Sequence, residues 1–147
     1  MPPDPTLAPA LYEMAKTARS TGDLKMAKAL YLDASDADPK MAAPRLDLAE
    51  MLMEQGTSLD LAATALQEAE SLNPEVPRFF KLQGNLAELL GQDKRAEVAY
   101  ARAVDLDPKD VDMRMRYGLV LMRVGRNEPA ITELEIVRDL RPQDGQS

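Results

Sequence analysis

The segment "PRFFKLQGNLAELL", residues 77–90, places Phe80, Gly84, Ala87 and Leu90 at steps of four, three and three, the period of one helix face. Pro77 suits a first helical position, and Gly91 permits the left-handed residue that ends many helices. The next segment, "DKRAEVAYARAVDL", sets Ala96, Tyr100 and Ala103 on one face, and Pro108 stops it. Two apolar stripes joined at a glycine predict a helical hairpin. A single hairpin cannot bury its apolar face alone, so further copies are expected.

The same spacing recurs along the chain. Gly22, Gly56, Gly91 and Gly125 are 34, 35 and 34 residues apart, and Ala27, Ala62, Ala96 and Ala130 follow at 35, 34 and 34. Tyr31, Leu66, Tyr100 and Leu134 keep step, as do Ala34, Ala69, Ala103 and Val137, and Pro39, Pro74, Pro108 and Pro142 close the units. The extra residue sits in "GTSLD", a polar turn where an insertion is cheap. Small residues pair across each predicted hairpin: Ala15 with Ala27, Ala49 with Ala62, Gly84 with Ala96, Gly118 with Ala130. Tyr100 is expected to fill the gap towards the following unit.

On these positions the chain resembles the tetratricopeptide repeat family. The resemblance implies an all-α fold, a right-handed superhelical array of four helix–turn–helix repeats with eight helices and no sheet. It assigns 1–7 to an N-terminal extension, 8–142 to a single repeat domain (8–41, 42–76, 77–110 and 111–142) and 143–147 to a short tail. The early apolar position of the first helix is Leu11 and Phe80 in units one and three, but Arg45 and Arg114 in units two and four. Those helices are expected to bury a thinner face there, with the Arg stems snorkelling to water.

Family resemblance also implies that the first helices of the hairpins line a concave surface, and that this surface binds protein. Counting positions 2, 5, 6, 9, 12 and 13 of each gives the candidate lining. Units one and two contribute Tyr12, Glu13, Lys16, Arg19, Leu46, Asp47, Glu50, Met53 and Glu54. Units three and four contribute Arg78, Lys81, Leu82, Asn85, Glu88, Leu89, Asp112, Met115, Arg116, Leu119, Met122 and Arg123. Leu82, Leu89, Met115, Leu119 and Met122 form an apolar strip with a basic rim, suited to a peptide or helix of a partner. Packing between neighbouring helices is the competing role for each of these apolar residues. The family's Lys/Asn/Arg clamp for chaperone tails would fall on Tyr12, Lys16, Asp47, Arg78 and Leu82, which do not match it, and neither does the register one unit on.

Composition narrows the chemistry. The 147 residues contain no Cys and no His, which removes disulfides, thiol nucleophiles and His-based triads or shuttles. The net charge of -7 disfavours nucleic acid and anionic membranes as partners, and no apolar run is long enough for membrane insertion. No leader is recognisable in "MPPDPTLAPALYEM", so a cytoplasmic setting is expected, or a periplasmic one if a leader was removed. Residues 42–76 hold one base and seven acids, -6 of the total. For Asp47, Glu50 and Glu54 a groove role is favoured, and for Glu68 and Glu70 a solvated surface. The acids of "DLDPKDVDMRMR" lack the Gly and Glu of a calcium loop, and no phosphate-binding loop is present. No catalytic residue, cofactor or metal is assigned, and the chain is read as a non-enzymatic scaffold.

The last predicted helix is more apolar than its counterparts. Ile131 stands where Lys28, Ala63 and Glu97 stand earlier, and Ile136 where Asp33, Glu68 and Arg102 stand. Its apolar arc widens from roughly 160° to roughly 220°. With Leu140 these residues are candidates for self-association as a homodimer. The other two readings are a chain cut from a longer array and an N-terminal Leu7/Leu11 segment folded across the end.

Overall fold

The computed structural model describes residues 4–72 and 76–141. Among them the chain is all-α: a 3-10 turn at Pro5–Leu7, then α1 (Ala8–Ser20), α2 (Leu24–Ala37), α3 (Ala43–Gln55), α4 (Leu59–Glu70), α5 (Pro77–Leu89), α6 (Asp93–Leu106), α7 (Val111–Arg123) and α8 (Asn127–Leu140). Consecutive helices pack as hairpins, α1 with α2, α3 with α4, α5 with α6 and α7 with α8. The four helix–turn–helix repeats expected from the spacing are therefore present. The chain divides into two compact units of two repeats each, Met1–Pro74 and Glu75–Ser147. In the first, α3 seats on α2; in the second, α7 seats on α6. Pro74, Pro142 and the 143–147 tail lie outside the described residues.

The punctuation acts through backbone sterics. Asp38 and Asp107, each before a proline, lie outside the helical region at φ -136° and φ -139°, because a following Pro disfavours that region. Gly91 is left-handed at φ 72°, and its turn returns Gly91 N–H to Glu88 O (3.0 Å) and Gln92 N–H to Ala87 O (2.8 Å), satisfying the carbonyls at the helix end. The "GTSLD" turn absorbs its extra residue at a cost. Gly56 is left-handed as in the other repeats, and Ser58 is left-handed too, at φ 54°. Where Asp23 caps α2 by accepting from Met26 N–H at 3.1 Å, Ser58 before α4 makes no side-chain cap.

Each hairpin core is built on close approach. Ala15, Ala27, Ala49, Ala62, Ala96 and Ala130 are wholly buried. A Cβ on Gly84 would meet the Tyr100 ring at 2.6–2.8 Å, and one on Gly118 would meet Leu134 at 3.0 Å. Thus Tyr100 lies over Gly84 of its own hairpin and also packs with Val120 and Tyr117 of the next repeat, filling the gap towards the following unit as expected.

The two arginines at apolar positions behave differently from expectation. Arg45 is 9 % exposed, and its guanidinium donates to Glu68 at 2.9 Å and to Met41 O at 3.1 Å. Arg114 donates to Glu133 and to Pro108 O, both at 2.6 Å. The heads are held by the protein instead of snorkelling, and Glu68, expected to be merely solvated, is a structural partner. A buried guanidinium demands this, since its desolvation is offset only by paired charge and hydrogen bonds.

Candidate partner-binding surface

In the first unit, the candidate residues on α1 and α3 form a polar network. The Tyr12 ring lies 6.2 Å from the Tyr31 ring, with Lys16 Nζ 4.6 Å from the Tyr12 centroid and 2.9 Å from Glu13. Arg19 donates to Glu50 at 3.0 Å and to Glu54 at 2.9 Å. Burial opposes the Arg19 charge, yet its bonds to Glu54 and Glu50 outweigh that and push its pKa above the ordinary value. Tyr31 donates to Asp47 at 3.4 Å, and burial followed by the Asp47 charge raises the phenol. Asp47 and Met53 are buried, so neither is presented to a ligand. The acids favoured for a groove are thus already engaged, and the residue that engages two of them is Arg19, which the same count of first-helix positions places in the candidate lining.

The second unit differs. Leu82 is 1 % exposed and belongs to packing, whereas Leu89, Leu119 and Met122 are 50 %, 46 % and 51 % exposed. Met115 and Arg78 are half-buried. Around the exposed apolar residues runs a chain of charges: Lys81 to Asp112 at 2.8 Å, Arg116 to Asp112 at 3.1 Å and to Asn85 at 3.4 Å, and Arg123 to Glu88 and, at 3.3 Å, to Asp93. The Tyr100 hydroxyl lies between Asn85 at 2.5 Å and the Glu88 carboxylate. Burial, then the Glu88 bond, raises Tyr100 well above the tyrosine range. Asp112 is held below its ordinary pKa by the Lys81 bond, against the opposing effect of burial.

The two networks occupy the same repeat positions with the signs exchanged. Arg19 and Glu88 both lie three residues before the turn glycine, and Glu54 and Arg123 both lie two before it. Asp47 and Arg116, nine before it, each approach the tyrosine of the preceding hairpin. The signal was present in the sequence as opposite charges exactly one repeat apart, 35 residues in both pairs.

Taken together, the chain is a helical-hairpin repeat protein whose second unit exposes an apolar patch rimmed by paired charges. It belongs to the tetratricopeptide repeat family: the family profiles match residues 8–41, 57–111 and 94–145. Among curated proteins no sequence matches. Similar solved structures include MamA of Desulfovibrio magneticus (22 % identity over 94 % of this chain and 78 % of that one, TM-score 0.81). YrrB, described as a TPR protein with an unusual peptide-binding site, matches at 23 % identity over 90 % of this chain and 68 % of that one, TM-score 0.81. TTC0263 of Thermus thermophilus matches at 22 % identity over 93 % and 75 %, TM-score 0.75. Identities this low carry the fold. That fold, with its family, makes the chain a protein–protein interaction scaffold. Among the described residues no helix is long and apolar enough to cross a membrane.

Proposed function

We propose that the chain acts without catalysis as an adaptor, and that it holds a peptide or helix of a partner protein on the α5/α7 face of the second unit. The observation that carries this reading is the exposure of Leu89, Leu119 and Met122, each close to half or more, on the helices that also carry Lys81, Arg116 and Arg123. Large apolar side chains rimmed by charges are the composition of interface cores and rims. Met122 adapts its shape to a partner, and the arginines supply directional hydrogen bonds. The first unit offers no equivalent patch among its candidate residues, because Met53 and Asp47 are buried and Glu50 is paired with Arg19. YrrB supports the reading as a repeat protein of the same fold with a peptide-binding site.

The test is photo-crosslinking from position 119, with the wild-type surface and with Leu89→Asp plus Met122→Asp. A partner captured by the first and lost by the second is the expected result. Identical capture by both would remove the patch from the binding surface.

A second reading, self-association through α8, rests on Ile131 and Leu140, which are 55 % and 36 % exposed, beside half-buried Ile136. Light scattering across a concentration series tests it; a mass fixed at one chain at every concentration refutes it.

A further inference from the structure

A shallow apolar hollow of about 450 Å³ lies on α1 and α2, lined by Glu13, Met14, Thr17, Ala18, Met26 and Leu30. Met14 and Met26 are 54 % and 51 % exposed there. The repeat register says what such a face does elsewhere in the molecule. Met14 and Thr17 are the counterparts of Tyr117 and Val120, 103 residues later. In α7 those two side chains pack on Ala87, Ala96 and Tyr100 of the preceding hairpin. The hollow is therefore the surface by which a first helix seats on the hairpin before it, and among the described residues α1 has none.

The last hairpin presents the matching seat. Ala96 and Tyr100, which receive α7, correspond to Ala130 and Leu134 of α8. Glu97, whose carboxylate reaches Arg126 of the following hairpin, corresponds to Ile131, which is 55 % exposed. An outward carboxylate that meets the next repeat is thus replaced in the fourth repeat by an exposed isoleucine.

Electrostatics exclude α3 and α7 from that seat. At the two junctions within the units, the position three before the turn glycine and the position two before the next one hold Arg19 with Glu54, and Glu88 with Arg123. At the ends these positions hold Met122 and Ser20, both uncharged. Seating α3 or α7 on the α8 end would press Glu54 or Arg123 against Met122 and strip a charge of water without a partner. Seating α1 brings the uncharged Ser20 to Met122, with Asp23, the counterpart of Arg126, beside Ile131 at the rim.

We propose that copies of this chain stack head to tail, the α8 face of one on the α1/α2 hollow of the next. The proposal rests on the self-association reading and specifies its geometry. Such a contact uses two different surfaces, so it does not close as a two-fold dimer does; it builds open arrays or, where the rotation closes, rings of more than two chains. Wild-type mass is expected to keep rising with concentration beyond two chains.

The experiment pairs two blocked variants in sedimentation velocity. Met14→Glu plus Met26→Glu blocks the head at exposed positions, and Ile131→Glu blocks the tail by setting a carboxylate opposite Asp23, the counterpart of Arg126. Each alone is expected to run as a monomer of wild-type helicity, and their mixture as a one-to-one dimer that grows no further, because one intact head meets one intact tail. A monomeric wild type overturns both this proposal and self-association. A wild type that stops at two chains, is lost with Ile131→Glu and survives Met14→Glu plus Met26→Glu keeps self-association and overturns the head-to-tail arrangement. A mixture that stays monomeric overturns it equally.

Discussion

Arg19 and Glu54, 35 residues apart, meet at 2.9 Å across α1 and α3, and their counterparts Glu88 and Arg123 meet across α5 and α7 with the charges exchanged. The repeat thus fixes where a charge pair stands and leaves its sign free, provided both partners change together. Each tyrosine hydroxyl follows suit: Tyr31 lies by Arg19 and Asp47, Tyr100 by Glu88 and Arg116.

This equivalence predicts the outcome of a reversal series in the second unit. Arg123→Glu places two acids together and should lower stability by about 1 kcal/mol, the scale of a partly exposed pair. Glu88→Arg should cost more, since it also sets a cation beside Arg116. Combining the two should recover the Arg123 loss, and adding Arg116→Asp the remainder. Urea midpoints at low and high salt measure it; a double variant no better than its worse parent would show that the pairing contributes nothing.

How far the sequence reveals this follows from what a repeat constrains. Positions that set backbone geometry recur in kind: Gly91 at the turn, Pro108 after the helix, Ala96 at the close approach. They are legible because each has few substitutes. Polar networks are not, since only the product of two signs matters, and reading one helix at a time misses it. Asp47, Glu50 and Glu54 look like free groove acids until Arg19 and Tyr31 are placed beside them. Leu82 and Leu89 have similar claims to the groove by spacing, yet one is 1 % and the other 50 % exposed. Seven residues are two helical turns less about 20°, and that drift, with the neighbouring packing, decides which is covered.

Arg114 and Glu133 replace Phe80 and Ala99 of the preceding repeat, and their side chains are 13 % and 16 % exposed. A buried pair is costly to break and cheap to replace by apolar residues. Glu133→Ala alone should destabilise by about 3 kcal/mol, leaving the Arg114 guanidinium with the Pro108 carbonyl. Arg114→Phe with Glu133→Ala, which copies the third repeat, should match wild type or exceed it. Thermal unfolding of the three proteins checks this, and a double variant as weak as the single would refute the replacement.

The tyrosines give the fold its alkaline limit. Burial, reinforced by nearby carboxylates, raises Tyr31, Tyr100 and Tyr117 above the ordinary value of 10.0. A raised folded pKa means that the unfolded chain releases its protons first. Stability is therefore complete below about pH 10 and declines as pH rises beyond it. Tyrosinate absorbance of the native protein should lag that of the urea-unfolded chain, and Tyr100→Phe should remove part of the alkaline loss. Coincident titration curves would contradict the shifts.

The 34-to-35 slip makes a prediction about stability that no side-chain contact supplies. In the first repeat, Asp23 follows Gly22 directly, caps α2 through Met26 N–H and has φ -84°. In the second, Thr57 intervenes, so the capping residue Ser58 is pushed to φ 54° and its hydroxyl caps nothing. A left-handed conformation costs a residue with a Cβ roughly 1–2 kcal/mol, and a missing serine cap forgoes about 1 kcal/mol. Deleting Thr57 leaves Gly56 followed by Ser58, the order of Gly22 and Asp23. The shortened turn should return the serine to negative φ and let its hydroxyl accept a hydrogen bond from the Leu61 amide. The deletion should raise the unfolding free energy by about 1 kcal/mol or more, a rare case of a shorter chain being the firmer one. Ser58→Ala separates the two causes: in the deletion background it removes the cap and should lower stability, while in the full-length chain, where no cap exists, it should change little. Equal effects of Ser58→Ala in both backgrounds would show that the deletion does not restore the turn of the first repeat.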